Sequence, residues 1–359
     1  MSSKTPAPPG SPPGAFIARR KLCYSLVSAL CVLLPLAMLV SAGLGALRLS
    51  PGEVARILLG KLSGRAELLD GIGGGAVAVV FELRLPRIVC AAFTGAALSA
   101  AGVIFQAVLQ NPLADPYTLG ISTGAAFGAS LAIFLNMTFA VSLPPPLSAL
   151  AFAGLTLAAV LAIANRGSGL AAANLIMAGI ITSAILQAGV SFIKTASGEN
   201  VGAIVFWLMG SLSGRSWADA LLLAPVTGAA IALAIAFSRD LNLLSLGNRG
   251  AESLGVDVKR ARLLYLLLGA AVTACSVSVC GIIGFVGLVV PHLLRFSASS
   301  DNRLLLPLSA LSGALLLLLA DDAVRLLGTG EIPVGVLTTL LGGPFFIYIF
   351  IRRRGAARE

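Results

Sequence analysis

The sequence predicts an all-α polytopic membrane protein of about ten transmembrane helices, and three observations carry that prediction. Hydrophobic residues make up 57% of the 359-residue chain and charged residues only 11%, against about a quarter in a typical soluble domain. Uncharged apolar runs of about 20 residues, the length that crosses a hydrocarbon core of about 30 Å, recur from Leu22 to Ile351. The basic residues gather in alternate connections between those runs, as membrane topology requires.

Residues 1–15, MSSKTPAPPGSPPGA, are rich in Pro, Gly and Ser and cannot bury a core, so a disordered tail is expected over 1–20. Arg19, Arg20 and Lys21 then precede an apolar run from Leu22 to about Leu47, which opens a transmembrane domain over 21–354. A signal peptide would be shorter and would lead into soluble sequence, whereas further spans follow here. Ser50, Pro51 and Glu53 supply the N-cap, first-turn proline and capping-box acid of a short surface helix. Glycines 71, 73, 74 and 75 are then expected as a flexible link.

The stretch from Leu83 to Gly128 predicts two spans hinged at a polar break. Arg84 and Arg87 flank Pro86, which suits a helix start because its missing N–H has no partner to lose there. Ala91, Gly95, Ser99 and Gly102 form a small-residue stripe that lets another helix approach closely. Asn111, Pro112, Asp115 and Pro116 stop that limb, and the next carries Gly124 and Gly128 at GxxxG spacing. Spans four to six are expected over about 146–164, 171–193 and 218–237, with a mixed piece at 194–217 whose Trp207 and Trp217 suit an interfacial belt. A charged loop covers 239–262, and spans over about 263–280, 282–298, 304–326 and 332–351 follow, leaving 355–359 as a short tail.

Ten spans put both ends on one side. That topology places 16 of the 25 basic and 6 of the 15 acidic residues inside, leaving 9 of each outside, so the whole net charge of +10 is cytoplasmic. The excess therefore reports topology, not nucleic-acid binding.

Several function classes are disfavoured. Coupling to an ion gradient calls for carboxylates near the bilayer midplane, yet only Asp219, Asp321 and Asp322 lie within spans, each near an outer end. An intramembrane enzyme would need paired catalytic groups, and His292 is the chain's one histidine. Gly60-Lys61 is followed by Leu62, so there is no Walker A loop and any ATPase must be another chain. Cys23, Cys31, Cys90, Cys275 and Cys280 read as small buried apolar residues, and His292 as a packed or interfacial one. No cofactor or metal site is expected.

LRLPR (83–87), GAALSAAGVIFQ (95–106), NPLADPYTLGISTGAA (111–126), GIIGFVGLVVPHLLRF (281–296) and EIPVGVLTTLLGGPFFIYIF (331–350) together resemble the permease subunits of type II ABC importers, which take up iron siderophores, haem and cobalamin. The resemblance implies that family's permease fold, and a homodimer in a bacterial inner membrane with both termini cytoplasmic. It also implies two cytoplasmic ATPase subunits that hydrolyse the ATP, and a periplasmic binding protein that delivers the cargo. In such permeases two arginines like Arg84 and Arg87, with a third like Arg325, receive acids of the binding protein. From the residues alone, Arg84 and Arg87 could equally be snorkelling anchors, and Asp321 could hold Arg325 as an i,i+4 pair. The 239–262 loop would form the coupling helices that enter the ATPase, with Ala251, Glu252, Leu254 and Gly255 resembling the motif and Arg249 beside them. From the residues alone, Asn248 or Ser245 can cap a short helix that Gly255 stops, with Arg249, Lys259, Arg260 and Arg262 as rim charge, and by composition it is an ordinary positive-inside loop. The family's pathway runs along span five, where Asn174, Ser183, Gln187 and Ser191 either line it or bond neighbouring helices, with a gate at Ala171, Ala172 and Ala173. An iron complex is the expected cargo, with cobalamin as the alternative.

Overall fold

The computed structural model describes residues 13–45, 47–166, 170–327 and 332–356, and side chains between 20 and 347. These residues form helices and no strand. α1 (Pro13–Gly43) starts ahead of the apolar run, so part of the expected tail, residues 13–20, is helical, as are 355 and 356 at the other end. Residues 1–12 and 357–359 of the expected tails lie outside the described residues.

α2 (Pro51–Ser63) has the capping box read from the sequence: Ser50 Oγ accepts the Glu53 N–H at 3.3 Å, and the Glu53 carboxylate accepts the Ser50 N–H at 2.8 Å. Reciprocal bonds of this kind satisfy donors that a helix start otherwise leaves unpaired.

α3 (Gly74–Val108) corrects two expectations. Gly73 caps it and Gly74 and Gly75 form its first turn, so these glycines are no free link. Pro86 lies inside it instead of at its start, because a π-helical turn, Val79–Arg84, runs straight into the α-helix at Leu85. In that wide turn the Leu85 N–H reaches back to the Val80 carbonyl, which makes room for the proline ring. The carbonyl that Pro86 would serve in this pattern is that of Phe81, and it accepts the Trp217 indole N–H at 2.9 Å. Trp217, expected in an interfacial belt, is half-buried, with its ring 5.6 Å from that of Phe81.

The remaining helices are α4 (Ile121–Phe139), α5 (Pro145–Asn165), α6 (Ala172–Ala196), α7 (Val201–Leu208) and α8 (Trp217–Ala236). Then come α9 (Ser238–Leu244), α10 (Asn248–Ser253), α11 (Val258–Cys280), α12 (Val286–Ser297), α13 (Asn302–Leu327) and α14 (Val334–Ala356). Eight of the described helices are long and apolar enough to cross a membrane: α1, α3, α4, α5, α6, α8, α11 and α13. α12 and the Val334–Ile347 part of α14 are shorter apolar helices, and with them the apolar set reaches ten.

The eighth apolar helix begins later than its hydropathy suggests. Gly281 and Phe285, both at positive φ (71° and 67°), break the chain between α11 and α12, so α12 spans only 12 residues. Backbone at membrane depth must find partners within the protein. Here the Ser211 N–H donates to the Cys280 carbonyl at 2.8 Å, and the Tyr117 hydroxyl donates to the Ile283 carbonyl.

α3 is the axis of the bundle, buried almost throughout from Cys90 to Val108 and packed by α8, α11, α12 and α13. Its small-residue stripe is the reason these helices sit so close. A Cβ on Gly95 would lie 2.2 Å from the Gly313 carbonyl oxygen of α13, and one on Gly102 would lie 1.8 Å from that of Gly287 on α12. The GxxxG pair faces α5: Gly124 abuts Thr156 and Gly128 abuts the Ser148 carbonyl. The break between α3 and α4 is held by Asp115, whose carboxylate accepts the Tyr117 N–H at 3.1 Å and the Thr118 hydroxyl at 2.8 Å.

Candidate functional site

Two sites stand at opposite ends of α13. Its 26 residues give about 39 Å of helix; its first residue, Asn302, donates its N–H to Asn242 of the 239–262 loop, and Arg325 lies in its last turn.

At the Arg325 end is a cavity of about 640 Å³ whose lining includes Glu82, Arg84, Arg87, Arg215 and Arg325. The three arginines singled out from the sequence are thus brought together, but they do not project freely. Arg84, 8% exposed, donates to the Ala42 carbonyl at 2.8 Å and the Leu47 carbonyl at 2.5 Å, which ties α3 to the end of α1 and to the chain after it. Arg87 makes a two-pronged bond to Asp321, with Nε donating at 2.9 Å and Nη2 at 2.8 Å. Arg325 lies 3.5 Å from the same carboxylate and also donates to Asp322 and to Ser41 Oγ, which in turn donates to Asp322 at 2.6 Å. The i,i+4 pair expected between Asp321 and Arg325 is therefore present, inside a larger network. Arg215 and Ser41 were not found from the sequence, since their contacts join segments far apart along the chain. With Asp321 and Asp322 counted beside the lining groups, four guanidinium groups face three carboxylates, and the cavity carries an excess of positive charge.

At the other end, α10 differs from expectation in its caps. Gly247, at φ 95°, is the N-cap residue and contributes no side-chain bond. Asn248 instead accepts from Arg262, and the Ser245 hydroxyl donates to the Leu241 carbonyl at 3.0 Å. Gly255 ends α10 as the sequence indicates: at φ 84° its N–H reaches the Glu252 carbonyl and the Val256 N–H that of Ala251, a Schellman motif. Ala251 is buried in the bundle core, while Arg249, Glu252, Leu254 and Gly255 are exposed, Leu254 by 55%. Arg262 is not on the rim but 3% exposed.

The third group lies along α6. Gln187 and Ser191 are exposed with Ala173, Met177, Ile180 and Phe192, and 100° spacing places these on one face that no other described helix covers. Asn174, Ala171 and Ala172 are half-buried. Ser183 turns toward the start of α4, where a Cβ on Gly120 would lie 2.6 Å from its Oγ. A second, mainly apolar cavity of about 530 Å³ sits beside the α11–α12 break, lined in part by Asp115, Tyr117, Phe285 and Thr339.

Among the described residues no group of three His, Cys, Asp or Glu side chains could hold a metal. His292 packs edge-on against Phe296 at a ring distance of 4.9 Å and tilted against Phe346 at 5.5 Å. Cys23, Cys90, Cys275 and Cys280 are buried as expected, whereas Cys31 is exposed, because α1 leaves most of its surface uncovered by other helices.

A bundle of apolar helices with a charged cavity at one end and an exposed helical loop at the other defines a multi-pass membrane protein of the transport class. The chain belongs to the FecCD transport family, whose pattern matches residues 33–352. Members are permease subunits of type II ABC importers, and the ATPase is a separate subunit. The chain is 41% identical over 286 residues to the cobalamin import system permease protein BtuC of Halobacterium salinarum, covering 79% of this chain and 76% of that one. It is also 41% identical over 282 residues to the hemin transport system permease protein HmuU of Yersinia pestis, covering 76% and 83%. A solved metal-chelate type ABC transporter in an inward-facing conformation matches 91% of this chain and 99% of its own, with a TM-score of 0.79 at 34% identity.

Proposed function

We propose that two copies of this permease, with two cytoplasmic ATPase subunits in a bacterial inner membrane, carry an iron complex such as a ferric siderophore or haem from a periplasmic binding protein into the cytoplasm. Both termini then lie in the cytoplasm. The observation that carries the reading is the placement of an arginine-rich cavity and an exposed helical loop at opposite ends of α13. Acidic side chains of a binding protein complement the cavity's excess charge at Arg84, Arg87 and Arg325. On the loop, Ala251 anchors α10 in the core while Leu254, Gly255 and the charged Arg249 and Glu252 meet the ATPase. The uncovered face of α6 faces the second copy, so Gln187 and Ser191 line the cleft between them and Ala173 stands at its cytoplasmic gate, with Asn174, Ser183, Ala171 and Ala172 behind that surface.

Relatives named for both haemin and cobalamin favour a large chelate, and cobalamin remains the second reading on the strength of the BtuC match. Uptake of labelled ferric siderophores, haemin and cobalamin by vesicles holding the reconstituted complex tests the proposal. ATP-dependent uptake of an iron complex supports it, cobalamin alone selects the second reading, and uptake without ATP overturns both.

A further inference from the structure

One buried side chain joins α10 to the turn that precedes α6. Arg262 leaves the first turns of α11 and is 3% exposed. Its Nη1 donates to the carbonyl of Leu170, the residue before the gate alanines, and its Nη2 donates to Asn248 Oδ1 at 2.7 Å, at the first residue of α10. Nε is buried without a partner among the described residues. Burying a guanidinium is costly unless its surroundings compensate it, and a planar fork can hold two acceptors in fixed relation where a lysine cannot.

The two helices of the loop are tied differently. α9 is fixed to the bundle: Gln110 at the end of α3 donates to the Leu244 carbonyl at 3.0 Å, and Asn242 bonds both Asp301 and the Asn302 N–H at the start of α13. α10 rests on Ala251 and on the Asn248–Arg262 bond. The Asn248–Arg262–Leu170 bonds thus give displacement of α10 a direct route to the entrance of α6.

We propose that Arg262 is a positioning residue that transmits movement of α10 to the gate at Ala171 to Ala173. The inference rests on the reading of 239–262 as the ATPase dock and of 171–173 as the gate.

The test uses the full permease, ATPase and binding-protein complex in vesicles, measuring uptake and ATP hydrolysis together. Asn248→Ala removes one acceptor from Arg262 by a change at an exposed position that replaces no core side chain. Uptake per ATP hydrolysed should fall about tenfold while hydrolysis continues, within the range of typical allosteric couplings. Asn248→Asp, which keeps an acceptor, should retain the ratio, and Arg262→Gln should lower it further. A spin label at Ala173 should lose its nucleotide-dependent spectral change in Asn248→Ala. An unchanged ratio and an unchanged label response in that variant overturn the proposal, and they decide it even if the Arg262→Gln complex does not assemble. A purely structural role would lower complex yield and leave the ratio alone, which also overturns it. If Leu254→Asp fails to detach the ATPase, the dock reading itself falls; if it detaches the ATPase while Asn248→Ala keeps its ratio, only the role of Arg262 falls.

Discussion

Asp321, fully buried, is shared by Arg87 and Arg325, and the charge balance of the cavity turns on it. Removing one partner of a buried pair leaves an uncompensated charge, at a cost of about 3–5 kcal/mol. Asp321→Ala should therefore lower the thermal midpoint of the detergent-solubilised protein far more than Glu82→Ala, whose carboxylate is exposed at the cavity rim. Equal midpoints in a melting series would contradict the network. Reversing both Arg84 and Arg87 to Glu should abolish stimulation of hydrolysis by the binding protein while hydrolysis without it persists. Stimulation at the original level in folded double variant would remove these residues from the docking surface. The arginines themselves were legible in the sequence because charge at the end of an apolar run is conspicuous. Of their partners, Asp321 was legible as the i,i+4 neighbour of Arg325, whereas Ser41 was not, since it meets Asp322 across 281 positions and no local spacing reports that bond.

At the scale of elements, the stripe on α3 is a packing device with a sharp test. A methyl group at Gly102 would stand 1.8 Å from the Gly287 carbonyl oxygen, whereas one at Gly228 within α8 meets nothing within 4 Å. Gly102→Ala should reduce folded yield and thermal stability by displacing α12, and Gly228→Ala should be neutral or slightly stabilising, since alanine is the better helix former by about 1 kcal/mol. Comparable melting curves for the two variants would mean that α12 yields without cost. Helix existence was readable because each apolar run must satisfy its own backbone in lipid. The joints were not, because distant groups decide them. The Trp217 indole serves the Phe81 carbonyl beside Pro86, and Tyr117 serves Ile283 at the α11–α12 break. Asn248 likewise looked like a helix cap until Arg262 was seen to occupy its carbonyl.

For the whole molecule, Leu254 lets the proposed ATPase dock be tested apart from folding. It is 55% exposed on a loop whose neighbouring Ala251 is buried, so Leu254→Asp should leave permease yield unchanged and abolish co-purification of the ATPase. Retention of the ATPase at full stoichiometry would refute the docking surface.

The continuity of α13 has a consequence for how the two faces of the membrane communicate. A helix of about 39 Å that pivots as a unit by about 5° swings its far tip by about 3 Å, enough to part a hydrogen bond. Thermodynamic reciprocity then binds the two visitors together. Whatever affinity for the cargo carrier is lost when nucleotide closes the motor, the same factor must be lost by nucleotide when the carrier lands, so each can be titrated by watching the other.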